Sequence, residues 1–436
     1  MIINSKERLE TVLEAQREFQ RLHGRPVTEE FYQEKVPACW NRARRAPAYQ
    51  EIGDYSWASL AALPVTTKDQ LKADPWRFVA VRPDESAKYY ETSGTTCRST
   101  PTPRLVDDII WNTASVASAW GDIIGPGDRV VSLLPSDVVP AGDLVTSVCE
   151  YLDVPVARAY PFATGISDWD RLATLVANFE PTVLFMSPGL ALQATGLYLK
   201  RGQLAELSRS VSSIMLLGEV CVPALRTRLG TWWGARAFDA SYGSTETGTL
   251  AATCRAGSLH LLTAANRFEL ADDEGPRPWT APGTGRLVVT PLNLYARPLL
   301  RYDTGDEVSL STGCGCGRAT PVVTVLGRSS DGQRVRGVTL SPHLVEEIVY
   351  GQTTALGYLV EADQEGNRFR LLLERSPGTD RAHEPAAAAA VCAAFRERAG
   401  IDCDQALFVN SLPSTTKSGG SLKSWKRSNF RVVEAW

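Results

Sequence analysis

The sequence predicts an α/β protein in two parts. Residues 1–328 read as a large N-terminal domain of βα-built sheets with a β-rich subdomain. Residues 329–436 read as a small α+β C-terminal domain. Three observations lead there. The 436 residues exceed what one core holds, because single cores stop growing near about 250–300 residues. From about residue 85 to 245, short β-rich runs alternate with helix-compatible stretches, the pattern of βα units around a mostly parallel sheet. From about 257 to 326, strand-like pieces are broken by turns such as Glu274-Gly275-Pro276 and Ala281-Pro282-Gly283.

The elements follow in chain order. Leu9, Val12, Leu13, Phe19 and Leu22 recur at roughly helical spacing, so residues 6–23 are predicted as an amphipathic helix that Gly24 and Pro26 end. Strands are predicted at 88–91, 129–134, 154–159, 182–186 and 213–217, with helices at 105–121, 168–179 and 222–230. The β-rich stretch carries strands at 286–290 and 321–326. The polar run Arg328-Ser329-Ser330-Asp331-Gly332-Gln333 is the predicted hinge between domains. Beyond it, 358–362 and 368–373 read as strands, and the alanine-rich 386–397 as a helix.

Composition narrows the classes of function. Hydrophobic residues are 44% and charged residues 22%, as in ordinary globular proteins. With 46 basic and 49 acidic residues the net charge is −3, which gives no bias toward nucleic acid or an anionic membrane. No run of about 18 apolar residues suggests a membrane span. The start, Met-Ile-Ile-Asn-Ser-Lys-Glu-Arg, lacks a basic segment followed by an apolar core, so a cytoplasmic protein is expected. Nine cysteines, an odd number, are expected as reduced thiols.

Four motifs carry chemistry. In Thr92-Ser93-Gly94-Thr95-Thr96-Cys97-Arg98-Ser99-Thr100-Pro101, a strand runs into hydroxyls and one glycine, which can wrap phosphate oxygens. It lacks the GxxxxGK[ST] pattern of a Walker A loop. Ser241-Tyr242-Gly243-Ser244-Thr245-Glu246 offers an aromatic face, hydroxyls and a carboxylate, suited to a base, a phosphate and Mg²⁺. The third is Arg301-Tyr302-Asp303-Thr304-Gly305-Asp306, and the fourth Gly327-Arg328 with Asp331 and Arg336-Gly337. Their carboxylates and guanidinium groups suit ribose hydroxyls and phosphate. Singly, each equally fits a turn with solvated side chains.

Cys254, His260, Cys314 and Cys316 form a fifth candidate. Their donor set could supply a closed Cys₃His zinc site that clips a long loop of the β-rich subdomain. Four unrelated residues and a tight Cys-Gly-Cys turn are the alternative.

The four motifs in series resemble the adenylate-forming superfamily of acyl-CoA synthetases, adenylation domains and luciferases. Within it, Gly313-Cys314-Gly315-Cys316-Gly317-Arg318 and the stretch from Gly327 to Pro342 resemble the phenylacetate-CoA ligases and related aryl-acid-activating enzymes. The resemblance runs from about residue 85 to the C-terminus. It implies a mobile C-terminal domain pivoting near Asp331. It also implies a reaction in which ATP, with Mg²⁺, and a small carboxylic acid give an acyl-adenylate and pyrophosphate. The acyl group then passes to the thiol of CoA or of a phosphopantetheine on a carrier protein. By resemblance, Thr92, Ser93, Gly94, Thr95 and Thr96 hold the β- and γ-phosphates. Tyr242, between Ser241 and Gly243, stacks on adenine, Thr245 meets the α-phosphate, and Glu246 holds Mg²⁺. Asp306 binds ribose with Arg328 nearby, and Gly218-Glu219-Val220 lines the adenine and acyl pockets.

This sequence departs from the family at Cys97, where a glycine is usual, and at the late Pro101. Polar Gly332-Gln333-Arg334 also follows the hinge, where apolar residues are usual. The family's C-terminal lysine falls on Lys423 if the tail holds a short insertion. Lys417 is the other candidate, and a solvated basic tail without a catalytic lysine the third reading. The acid pocket is expected along 135–143, 187–190 and 218–220, where Asp137 or Glu219 would recognise a ring substituent, unless both cap helices or face solvent. Two other functions stay open: adenylation with a non-thiol acceptor such as an amine, and a nucleotide-binding protein that has lost catalysis.

Overall fold

Ser5 opens the first helix, Lys6–Leu22, its hydroxyl accepting from Arg8 N at 3.3 Å. Ala15 and Phe19 turn inward, and Phe19 meets Trp111 edge to face at 5.7 Å. The computed structural model describes residues 4–92, 99–163, 165–328, 332–413 and 429–434. These form two compact units. One comprises residues 1–128, 135–156 and 239–325, and the other 129–134, 157–238 and 326–436.

The first unit is built on an eight-stranded sheet. Its order is Gly275–Pro278, Asn266–Asp272, Gly283–Pro291, Tyr302–Ser311, Val322–Gly327, Leu259–Leu261, Gly248–Thr253, Ser241–Ser244. This is the predicted β-rich subdomain, but it starts at Ser241 rather than near 257. Leu287, Val289, Leu300 and Val308 lie in its core with Trp40, Tyr49 and Leu60 from the N-terminal helices and turns. Ten of the fifteen residues of helix Val106–Trp120 are buried, and Trp120 Nε1 donates to Ala240 O at 2.9 Å.

The strand expected at 88–91 is present, but it does not join a parallel sheet. Lys88–Glu91 pairs antiparallel with Pro101–Arg104 in a separate hairpin, with Glu91 opposite Pro101. A single β-rich run fixes a strand without naming its partner, and here the nearest partner lies just beyond the hydroxyl-rich loop.

The second unit holds the βα-built sheet, in the order Val156–Arg158, Val130–Ser132, Val183–Met186, Ser213–Leu216, Arg236–Asp239. The central pairs are parallel, and the three central strands are buried but for Ser213, as both-face-covered sheets require. Helices Trp169–Phe179, Pro188–Lys200 and Pro223–Trp233 cover it. The C-terminal stretch adds a mixed four-stranded sheet, Gln405–Val409, Phe369–Glu374, Gly357–Asp363, Phe430–Val433, with helices Pro342–Gln352 and Glu384–Ala399. Leu184, Ile214 and Leu229 share one buried cluster with Ile348, Val360, Phe369 and Phe395. Glu347 Oε1 accepts from Ala224 N at 3.1 Å, at the open first turn of Pro223–Trp233. Among the described residues no helix is long and apolar enough to cross a membrane.

Arg336-Gly337, part of the fourth motif, is the turn of the hairpin Gln333–Val335/Val338–Leu340. Both residues have positive φ, 50° and 79°. Arg336 is spent on that end of the fold: it donates to Asn367 O, Asp402 O and Asp404 at 2.9, 2.6 and 2.7 Å.

Candidate active site

The hairpin Lys88–Glu91/Pro101–Arg104 presents the hydroxyl-rich loop. Thr92 N donates to Thr100 O at 3.2 Å, and Thr100 N donates to Thr92 Oγ1 at 3.0 Å, which closes the loop's neck. Ser93, Gly94, Thr95 and Thr96 lie outside the described residues, as do Cys97, Asp331, Lys417 and Lys423.

The second motif forms strand Ser241–Ser244 and a tight return. Gly243 sits at a register shift where an added Cβ would lie 2.3 Å from Gly248 O, so glycine is required by close approach. Ser244 Oγ accepts from Thr247 N at 3.2 Å, and that turn fixes Thr245 and Glu246. Tyr242 OH donates to Asp306 Oδ2 at 2.8 Å, so residues 64 positions apart meet. Asp306 is held in turn: its amide donates to Thr304 Oγ1 at 3.2 Å, and Thr304 Oγ1 donates to Leu287 O at 2.9 Å. Arg301, which opens this motif, is consumed structurally by a bidentate pair with buried Glu269, both contacts 3.0 Å.

Glu246 is buried at 4% exposure and lies 3.9 Å from Lys68 Nζ. Burial acts to raise its carboxyl, but the charges of Lys68 and Arg297 outweigh it and hold the group below the usual carboxylate range. Two arginines missing from the sequence-level site surround it. Arg104 Nη2 donates to Thr245 O at 2.7 Å and Glu246 O at 3.2 Å, and Arg297 Nη1 donates to Pro101 O at 2.6 Å. Burial, with Arg104 beside it, pulls Arg297 down to about 10. One signal could have found Arg297: it is a lone charge inside the apolar stretch from Leu292 to Leu300.

Gly218, Glu219, Val220 and Arg328 belong to the second unit. Gly218, φ 95°, ends the run after Ser213–Leu216. Glu219 Oε2 accepts from Gly189 N at 3.2 Å, in the first turn of Pro188–Lys200, so it caps a helix and joins 187–190 to 218–220. Val220 follows it, and Arg328 directly follows strand Val322–Gly327. Asp137, by contrast, is exposed.

The four cysteine and histidine residues come together, with all ligand atoms within 4.8 Å of one another. The pair Cys254 and His260 meets the pair Cys314 and Cys316 because Leu259–Leu261 and Val322–Gly327 are neighbouring strands, with His260 opposite Val322. Cys254 Sγ is 3.7 Å from Cys314 Sγ, and Cys316 Sγ is 3.4 Å from His260 Nε2. A tetrahedral zinc with sulfur at about 2.3 Å and nitrogen at about 2.0–2.1 Å spaces these edges at about 3.8 and 3.6 Å. His260 Nδ1 is 2.9 Å from Thr320 O, which can only accept, so Nδ1 carries the proton and Nε2 presents a lone pair to the cluster. Burial opposes ionisation of Cys314, but hydrogen bonds from Ser258 and the Cys316 amide outweigh it, and the thiol is brought down to about 6. Burial and the neighbouring thiols push Cys316 up to about 11.

No family model matches the chain. It is 27% identical over 299 residues to a phenylacetate-coenzyme A ligase of Thermus thermophilus, a match covering 66% of this chain and 65% of that protein. It is 26% identical over 326 residues to a phenylacetate-coenzyme A ligase of Aromatoleum evansii, covering 73% and 72%. The crystal structure of 2-hydroxyisobutyryl-CoA ligase with 2-HIB-AMP, in the postadenylation state, superimposes with a TM-score of 0.69 at 19% identity, covering 99% of this chain and 90% of that one.

Proposed function

We propose that this chain, a member of the adenylate-forming superfamily by its fold and its two sequence relatives, activates a small carboxylic acid with ATP and transfers it to CoA. The observation that carries the reading is the convergence of three distant motifs in one unit. Tyr242 bonds Asp306 at 2.8 Å, and Arg104 ties the loop hairpin to the Thr245 and Glu246 carbonyls. In this reading Thr92 to Thr96 hold the β- and γ-phosphates, Tyr242 with Ser241 and Gly243 holds adenine, and Thr245 holds the α-phosphate. Asp306 and Arg328 hold ribose, Gly218 to Val220 border the acid, and Lys423 serves adenylation. Residues 329–436 act as the mobile domain. Such a site works by alignment and charge neutralisation: it sets an acid oxygen against the α-phosphorus while cations meet the charge that develops on phosphoryl oxygens. Buried ionised Glu246 suits Mg²⁺, a hard cation that takes carboxylate oxygens.

The acid is proposed to be aromatic, which the phenylacetate named in both relatives supports. The test is pyrophosphate release over a panel of phenylacetate and benzoate analogues, followed by CoA or a phosphopantetheinylated carrier protein supplied separately. Acid-dependent release with thioester formed on CoA is expected. Release without thioester, but with amide on adding amines, would move the acceptor to nitrogen. No release with any acid, despite ATP binding, would leave a nucleotide-binding protein.

Cys254, His260, Cys314 and Cys316 are proposed to hold a structural zinc, since four protein donors leave no open catalytic position. Protein purified without added metal should carry close to one equivalent. The double substitution Cys314→Ser, Cys316→Ser should release it and lower the thermal midpoint by roughly 5 °C or more. A metal-free wild type of normal stability would end the zinc reading.

A further inference from the structure

We propose that Arg297, with Arg104, is a positioning residue for the polyphosphate of the nucleotide, an inference that rests on the adenylation reading above. Arg297 has no exposed surface and Arg104 is 7% exposed. Burying a guanidinium is costly unless its donors are paired. These are paired only in part: among the described residues, Arg297 Nε and Nη2 and Arg104 Nη1 are buried with no hydrogen-bond partner. Neutral donors could staple the same carbonyls without burying charge. The fold therefore maintains two adjacent cations that, with Lys68, outnumber the carboxylates of Glu246 and Asp108, and the field of that excess positive charge favours an anion nearby.

Their placement says which anion. Arg297 grips Pro101 O, the first residue after the loop neck, and Arg104 grips the Thr245 and Glu246 carbonyls from the other end of the same strand. The strand leaving the phosphate loop is thus stapled at both ends by cations, one of them to the turn that bears Glu246. Asp108 sets the geometry: its carboxylate accepts from Leu105 N at 2.6 Å, from Ala296 N at 3.3 Å and from Tyr295 N, fixing the chain just before Arg297. Arg297 acts through this strand and through its field, without touching the ligand. Its effect should fall on a ligand bearing β- and γ-phosphates and spare one that has only the α-phosphate.

Calorimetric binding of α,β-methylene-ATP with Mg²⁺, and of AMP, to full-length protein tests this. Arg297→Met is expected to weaken the triphosphate analogue about tenfold or more and AMP less than twofold. Arg297→Lys should regain most of the loss, and the thermal midpoint of Arg297→Met should not fall, since an incompletely paired buried charge is removed. Equal weakening of both nucleotides, no weakening of either, or no recovery with lysine would overturn the assignment. Should Arg297→Met fail to fold, Arg297→Gln against Arg297→Lys makes the same comparison with the same criteria. A wild type that binds neither nucleotide sinks the adenylation reading itself. A wild type that binds both, with no contrast at Arg297, sinks this inference alone.

Discussion

Replacing Glu246 by glutamine should cut Mg²⁺-dependent pyrophosphate release by roughly two to three orders of magnitude, the scale of losing one electrostatic group at a reacting phosphoryl centre. The amide keeps the shape of the side chain and loses its charge. The structure adds a cost in stability. Glu246 is buried among Lys68, Arg104 and Arg297, with Asp108 the other carboxylate of the cluster. Three cations then face one carboxylate instead of two, and removing one partner from a buried charge cluster typically costs about 3–5 kcal/mol. Lys68 moderates the loss, because its side chain is 22% exposed and can turn to water. The two effects separate in the double variant Glu246→Gln, Arg297→Met, which restores the balance of charge. Its thermal midpoint should recover toward wild type while pyrophosphate release stays low. Turnover that recovers with stability would show that Glu246 serves the fold and would remove it from the metal role.

The sequence and the structure agree where one local signal decides the outcome. Strands Ser213–Leu216 and Val183–Met186 and helix Trp169–Phe179 fall within a residue or so of their predicted limits, because each is a clean apolar run or stripe between turn residues. Helix Pro188–Lys200 carried no such signal. It is buried on nearly every side, from Leu190 and Ala191 to Thr195 and Tyr198, so it has no polar face to set a period, and Gly189 and Gly196 weaken its propensity. The Cys₃His cluster was legible because cysteine and histidine announce their chemistry by type alone, although the nearness of the two halves needed the pairing of strands 259–261 and 322–327. Arg104, Arg297 and Lys68 were not legible as site residues. An arginine is ordinarily a surface residue, and only the folded chain decides that Arg104, within the hairpin Lys88–Glu91/Pro101–Arg104, and Arg297, bonded to it at Pro101 O, are both buried. Glu219 accepts from a helix terminus, the capping role that its sequence position left open beside the acid pocket.

Lys423→Ala should slow acyl-adenylate formation by orders of magnitude, while thioester formation from a supplied acyl-adenylate stays nearly intact. One mobile ammonium can neutralise charge shared between the acid and phosphoryl oxygens, whereas the thiol step makes no such charge at the α-phosphate. The buried cations near Glu246 do not substitute for it, because Arg297 is sealed from solvent and committed to Pro101 O. The two half-reactions should also separate at the hinge. Asp331→Pro restricts a backbone angle where the small domain is proposed to turn, and should spare adenylation more than transfer if the retained pose is the adenylating one. Lys417→Ala is the control and should change little. Loss of adenylation with Lys417→Ala but not with Lys423→Ala would move the tail insertion to the other side of the glycines. If neither substitution matters, neither Lys417 nor Lys423 carries the charge, and a different charge stabiliser or a nucleotide-binding protein that has lost catalysis is the reading that stands.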